Sequence, residues 1–149
     1  MDPVLNVEFV KNSLVVDSPE MDAIRKCAAD NEMVVCLGFS ERSGGTLYIA
    51  QCTINSDGSL LVARRKLKPI HMERTVFGDG HGPSLRNVAQ TPVGRVGALS
   101  CGVSSKPLCR WPILSSLGTL QSTAKIPHVL TRGGNPRCCL ASCYAASWW

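Results

Sequence analysis

Cys101 closes an apolar run of small residues, "VGRVGALSC". A cysteine at a strand end can project into a cleft and act as a nucleophile. Its thiol has an ordinary pKa of about 8.5, so it needs a neighbouring base or cation to become thiolate at neutral pH. Upstream, "ARRKLKPIHMER" gathers five bases with His71 and Glu73 just past an apolar run. An ammonium can stabilise charge that develops on a substrate, and a carboxylate can carry a proton. A thiol, a lysine and a glutamate so ordered suit covalent catalysis. Plainer readings stand beside this one: Cys101 as a buried structural residue, the basic run as a solvated face, or the run as a phosphate or nucleic-acid patch. The last has little aromatic interleaving to support it.

These residues need elements to position them. "DSPEMDAIRKCAADNEM" predicts a helix. Ser18 suits the N-cap, Pro19 the first helical position, and Glu20 and Asp22 the positive end of the dipole. Met21, Ile24 and Ala28 form an apolar stripe with Cys27 beside it, the pattern of a helix lying on a sheet. "MVVCLGFSE" predicts a buried strand, and "GGTLYIAQCTI", "NSDG" and "SLLVARRKL" predict strand, turn and strand. Cys27, Cys36 and Cys52 fall inside these elements and read as buried structural residues. "KPIHMERTVFGDGHGPSLRN" is long for a connection within a compact domain, and such loops often carry function. The strand "VGRVGALSC" follows it. Residues 1–101 therefore read as α/β, with one helix and about four strands.

The chain has 149 residues, enough for one domain with a core, and 44% of them are hydrophobic. No apolar run approaches the roughly 18 residues of a membrane span, so no membrane association is expected. "MDPVLNVEFVKNS" does not read as a signal peptide, which points to the cytoplasm and to reduced thiols among the 8 cysteines. All 11 acids lie in residues 1–101, against 11 of the 16 bases. Residues 102–149 hold no acid and five bases, Lys106, Arg110, Lys125, Arg132 and Arg137, and show no sustained periodicity. The expected organisation is a domain over 1–101 and a divergent, irregular basic tail over 102–149. In that tail Cys138, Cys139 and Cys143, with His128 or Cys109, lack the paired spacing of common zinc modules. No metal and no nucleic-acid partner is expected.

"RRKLKPIHMERTVFGDGHG" followed by "TPVGRVGALSC" resembles the nitrilase (carbon-nitrogen hydrolase) family, in particular its fungal arylacetonitrilase and cyanide hydratase branch. "NSLVVDSPEMDAIRKCAADNEMVVCLGFSER" and "GGTLYIAQCTINSDG" resemble further family segments, so the likeness covers about residues 7–101. It implies part of an αββα sandwich and a catalytic set in which Cys101 is the nucleophile. Lys66, not Lys68, would be the stabilising lysine, with Glu73 the supporting glutamate. It implies hydrolysis of a small-molecule nitrile without a cofactor, and a protein that forms homo-oligomers or filaments. The family's general-base glutamate precedes the matching region, and neither Glu8 nor Glu20 takes its place. The family continues past its cysteine with Trp-Glu, where this chain has Gly102-Val103. That change coincides with the loss of acids and fits a tail read in another frame or from a retained intron. Two expectations follow: little activity from this chain alone, or a non-catalytic partner of a full-length relative.

Overall fold

The computed structural model describes residues 3–99 and the backbone of residues 122–123. In chain order these form α1 (Pro3–Lys11), α2 (Pro19–Asp30), β1 (Val35–Ser43), β2 (Thr46–Ile54) and β3 (Leu60–Arg65), then β4 (Val88–Thr91), β5 (Gly94–Leu99) and the short β6 (Ser122–Thr123). Two 3₁₀ turns, His71–Thr75 and Gly82–Leu85, lie between β3 and β4.

Helix α2 starts where its sequence says it should. The Ser18 hydroxyl accepts from Met21 N at 3.4 Å, and Pro19 opens the first turn, where no backbone donor is needed. Its apolar stripe is then buried. Met21 is 0% and Ala28 1% exposed, packed with Val35, Leu37, Cys52 and Ile54 of the sheet, and Ile24 joins from the side. Burying a side chain such as Met21 stabilises by about 1.5–3 kcal/mol. Cys27 is exposed, against the expectation of a buried structural residue, because it lies beside the stripe and the helix turns it away from the sheet.

Strands β1, β2 and β3 form an antiparallel meander in that order. The β2–β3 turn closes through Gly58 N donating to Asn55 O at 2.9 Å. Gly58 has a φ of +81°, and a Cβ there would lie 2.8 Å from the Arg25 carbonyl. Arg25 Nε in return donates to Gly58 O at 2.9 Å, so helix and turn are stitched together. A second sheet has the order β4-β5-β6, with β4 and β5 antiparallel and β5 and β6 parallel.

The period of two along β2 separates the layers. Cys52 and Ile54 face α2. Gln51 and Thr53 point the other way and are nevertheless 9% and 2% exposed. What covers that face is the second sheet: Arg64, paired with Gln51 across the meander, reaches the Ala98 carbonyl of β5. The order is helix, sheet, sheet, which is α/β and supplies three layers of the expected αββα sandwich.

Within residues 1–101 two elements go beyond the expected one helix and about four strands, α1 and β4, and β6 lies in the stretch expected to be an irregular tail. The residues after α1 join the edge of β1, with Leu14 N donating to Ser40 O at 2.9 Å and Arg42 N to Leu14 O at 2.8 Å. The long connection after β3 is not a structureless loop. Its two 3₁₀ turns fold it back onto the meander.

Candidate active site

The basic run divides according to strand alternation. Arg64 and Lys66 point inward and are 4% and 2% exposed. Arg65 points to the other face, where it makes a bidentate pair with Glu41: Nε to Oε2 at 2.7 Å and Nη2 to Oε1 at 2.5 Å. Its guanidinium also stacks 3.9 Å over the Tyr48 ring. The carboxylate of Glu41 holds the Arg65 pKa above its ordinary value. Lys68 is exposed and pairs with Asp79. The run is therefore not one contiguous patch: Arg64, Arg65 and Lys66 go to different faces with partners of their own, and Lys68 and Arg74 are exposed.

Lys66 follows directly on β3 and extends the ladder, donating from its backbone N to Ile49 O at 2.7 Å. Its Nζ lies 2.6 Å from Glu73 Oε2. The lysine side chain is 1% exposed and the glutamate 30%. Glu73 sits in the first 3₁₀ turn, and the same Oε2 accepts from Ile70 N at 2.8 Å. His71 has a φ of 48°, the left-handed region that a non-glycine residue seldom adopts. This tight entry puts Glu73 back over the strand that carries Lys66.

The glycine-rich stretch holds the arrangement from above. Gly78 N donates to Leu47 O, and Gly80 N donates to Lys66 O at 2.9 Å. A Cβ on Gly80 would lie 2.8 Å from Lys66 O and 2.9 Å from Arg65 O. A Cβ on Gly78 would lie 2.8 Å from Thr46 Cγ2 and 3.1 Å from Tyr48 Cε1. At Gly80 backbone meets backbone and only glycine fits, whereas at Gly78 the close neighbours are the side chains of Thr46 and Tyr48.

Of the three residues expected to share a site, Lys66 and Glu73 are brought together. Cys101 lies outside the described residues, as do the tail's Cys109, His128, Cys138, Cys139 and Cys143. Cys52 is buried and desolvation pushes its thiol up to about 12; Cys36 is raised for the same reason. Both are held as thiols, which suits a structural role. Arg64, Asn87 and Ser84 were not expected near the site. Arg64 Nε donates to Ser84 O at 3.1 Å and its Nη1 to Gln51 Oε1 at 2.8 Å. Asn87 Nδ2 donates to Ala98 O at 3.0 Å. The signal that could have found Arg64 is the alternation of β3 carried through the basic run.

The carbon-nitrogen hydrolase family matches residues 3–107. An arylacetonitrilase of Hypocrea virens is 55% identical over 107 residues, which are 72% of this chain and 32% of that protein. An arylacetonitrilase of Aspergillus kawachii is 51% identical over 111 residues, 74% of this chain and 34% of the relative. A cyanide hydratase of Armillaria gallica is 50% identical over 100 residues, 67% and 28% of the two chains. The chain thus spans about a third of the length of these relatives. Among solved structures, a carbon-nitrogen hydrolase from Helicobacter pylori G27 superposes with a TM-score of 0.57 at 20% identity, covering 70% of this chain and 36% of that one. That likeness supports the fold. No helix among the described residues is long and apolar enough to cross a membrane. With the family match covering most of the chain and relatives about half identical, the protein belongs to the carbon-nitrogen hydrolase family.

Proposed function

We propose that this chain carries the acyl-transfer half of a nitrile-hydrolysing site, with Cys101 as nucleophile, Lys66 as the charge-stabilising group and Glu73 as its support. The Cys101 thiolate attacks the nitrile carbon. A C–S bond forms, one C≡N π bond opens, and the nitrogen takes a proton to give a thioimidate. Water adds to that carbon, the C–N bond breaks and ammonia leaves. A second water cleaves the resulting thioester to the carboxylic acid and frees the thiol. Breakdown of the first tetrahedral species at the C–S bond gives the amide instead. The Lys66 ammonium stabilises charge on the substrate nitrogen and on the tetrahedral species. Glu73 holds that ammonium at a fixed point.

The observation that carries this reading is the Lys66–Glu73 pair, 2.6 Å long with the lysine side chain 1% exposed. Burying an ammonium costs stability that its pairing with a carboxylate at best offsets, and such costly buried charges cluster at functional sites. Identity of about half to arylacetonitrilases supports the same substrate class.

The chain alone is expected to turn over poorly. Glu73 Oε2 already accepts from two donors, Lys66 Nζ and Ile70 N, and this leaves it ill placed to serve as the base. Gly102-Val103 also replaces the Trp-Glu that supports the family's nucleophile. The setting we propose is cytoplasmic, with self-association into homo-oligomers or filaments.

Incubation of the folded chain with phenylacetonitrile, read by intact mass, tests the reading. A covalent adduct on Cys101, absent in Cys101→Ala, is expected, with little free ammonia. A chain with a cooperative melt that shows neither adduct nor ammonia refutes the nitrile site. Sustained ammonia release that Cys101→Ala abolishes refutes the impairment. The other reading is a non-catalytic assembly partner, favoured by Gly102-Val103 after the cysteine. It predicts co-purification with a full-length relative without added activity.

A further inference from the structure

The carbonyl of Ala98 receives two side-chain donors, Asn87 Nδ2 at 3.0 Å and Arg64 Nη1 at 3.3 Å. Its place on β5 makes this notable. The β4–β5 ladder runs from Thr91↔Gly94 to Val88↔Gly97 and stops there, so Ala98 stands one residue beyond β4's last pair. Past it β5 pairs only with the two residues of β6, through Ala98↔Ser122 and Leu99↔Thr123, and side chains can take the polar groups that such a short ladder leaves over. Here Asn87 and Arg64 do so, and both are buried, at 2% and 4% exposed.

Arg64 also connects that strand end to the rest of the site. Its Nε donates to Ser84 O at 3.1 Å, its Nη1 to Gln51 Oε1 at 2.8 Å, and its Nη2 to Arg65 O at 3.3 Å. One guanidinium therefore touches β2, β3, the second 3₁₀ turn and β5. Along the chain, Arg64 precedes Lys66 by two residues, and Ala98 precedes Cys101 by three. Asn87 Oδ1, meanwhile, is buried without a partner among the described residues. A buried orphan acceptor costs stability, so Asn87 is not there for stability alone.

We propose that Arg64 and Asn87 are positioning residues: together they clamp the Ala98 carbonyl and so fix the strand end that leads to Cys101 against the strand end that carries Lys66. The clamp touches no reacting atom. It sets the distance at which the lysine's charge is felt by the thiol. This rests on the reading of Cys101 as the nucleophile.

The test uses the 149-residue chain and two substitutions that leave net charge unchanged, Asn87→Ala and Arg64→Lys. Cys101 alkylation by iodoacetamide is followed against pH by peptide mass spectrometry, with the exposed Cys27 as rate control. A less well placed ammonium raises the thiol's midpoint, and each unit of rise lowers the thiolate fraction at neutral pH about tenfold. The expected result is a slower Cys101 reaction at neutral pH in both variants, by up to that factor, with unchanged Cys27 and cooperative melts. A merely structural role lowers the melting temperature and leaves the Cys101 profile where it was; that result overturns the clamp. Loss of the cooperative melt in both variants overturns it too, since the pair is then a folding element. A parent chain whose Cys101 titrates as an ordinary thiol, near about 8.5, overturns the nucleophile reading itself. A perturbed parent with unperturbed variants overturns the clamp alone.

Discussion

Glu73→Gln removes the carboxylate from the Lys66 pair while keeping the side chain's shape. The lysine side chain is 1% exposed, so water cannot replace the lost anion around its Nζ. Breaking a buried pair by removing one partner costs about 3–5 kcal/mol, because a charge is left uncompensated in a medium of low polarity. Glu73 is 30% exposed, and the water on that side places the expected cost at the lower end, about 3 kcal/mol. For a domain of this size about 1 kcal/mol moves the melting temperature by roughly 4–8 °C, so the variant should melt some 12–24 °C lower. Asp79→Asn is the matched control. It also breaks a lysine–carboxylate pair, but one whose side chains are 68% and 44% exposed. Exposed pairs contribute at most about 1 kcal/mol. Urea denaturation of parent, Glu73→Gln, Asp79→Asn and the double substitution Lys66→Met with Glu73→Gln measures all four. The double variant removes the stranded ammonium and should recover most of the loss. If Glu73→Gln costs no more than Asp79→Asn, the pair is not desolvated in the way argued and the reasoning fails.

Gly80→Ala forces a Cβ to within 2.8 Å of the Lys66 carbonyl, a backbone atom that cannot swing aside. The expected loss is about 1–3 kcal/mol in urea, whereas Gly82→Ala, with nothing within 4 Å, should be near neutral. Ser18→Ala removes the α2 cap and should cost about 0.5–1 kcal/mol, the low end because the bond is 3.4 Å long. Burial pushes the Cys52 thiol up to about 12, so iodoacetamide at about pH 8 should modify the exposed Cys27 at once and Cys52 only in urea. The folded Cys52 value lies above the unfolded one, so its contribution is whole below about pH 8.5 and is lost as pH climbs toward 12. A Cys52→Val variant should therefore lose less stability than the parent between about pH 8 and pH 10.

Much of this fold was legible from local rules. Ser18-Pro19 announced α2, and Asn55 to Gly58 announced the hairpin, because a cap and a turn each depend on a few adjacent residues. Met21 and Ala28 were legible as core because the stripe has helical spacing. The misses have physical reasons as well. Asp2-Pro3 repeats the cap-and-proline signal of α2 and could have announced α1. But Val7, Phe9 and Val10 are all exposed, so no apolar stripe stands out. β4 has only four residues, Val88–Thr91, too few for alternation to show. The pairing of Glu41 with Arg65 was not legible, and for Arg64 alternation could give the face but not the partner. Burial of a charge depends on a partner distant in sequence: Arg65 lies 24 residues from Glu41, and Arg64 34 from Ala98. Resemblance singled out Lys66 among five neighbouring bases, where composition could not. Alternation then explains why Arg64 and Lys66 share a face and Arg65 does not.

The stability and the chemistry of this region pull apart. The α2 face of the meander is made stable in the ordinary way, by apolar side chains such as Met21, Leu37 and Ile54. The opposite face buries Gln51, Thr53, Arg64, Lys66 and Asn87, a set of polar groups that must be hydrogen-bonded merely to break even. An apolar layer there would hold two sheets together at least as well. A polar layer is retained where its groups have to be aimed, because a hydrogen-bonded side chain in a dense interior has one position and little freedom. Lys66 is aimed by Glu73, and Glu73 by Ile70 N. The Ala98 carbonyl is held by Asn87 and Arg64. Each of these contacts lies at the end of a strand or in the turns that follow, and none lies in the middle of a ladder. The meander therefore serves as a rigid base. What it supports is a layer in which position, more than stability, decides which residue can stand where.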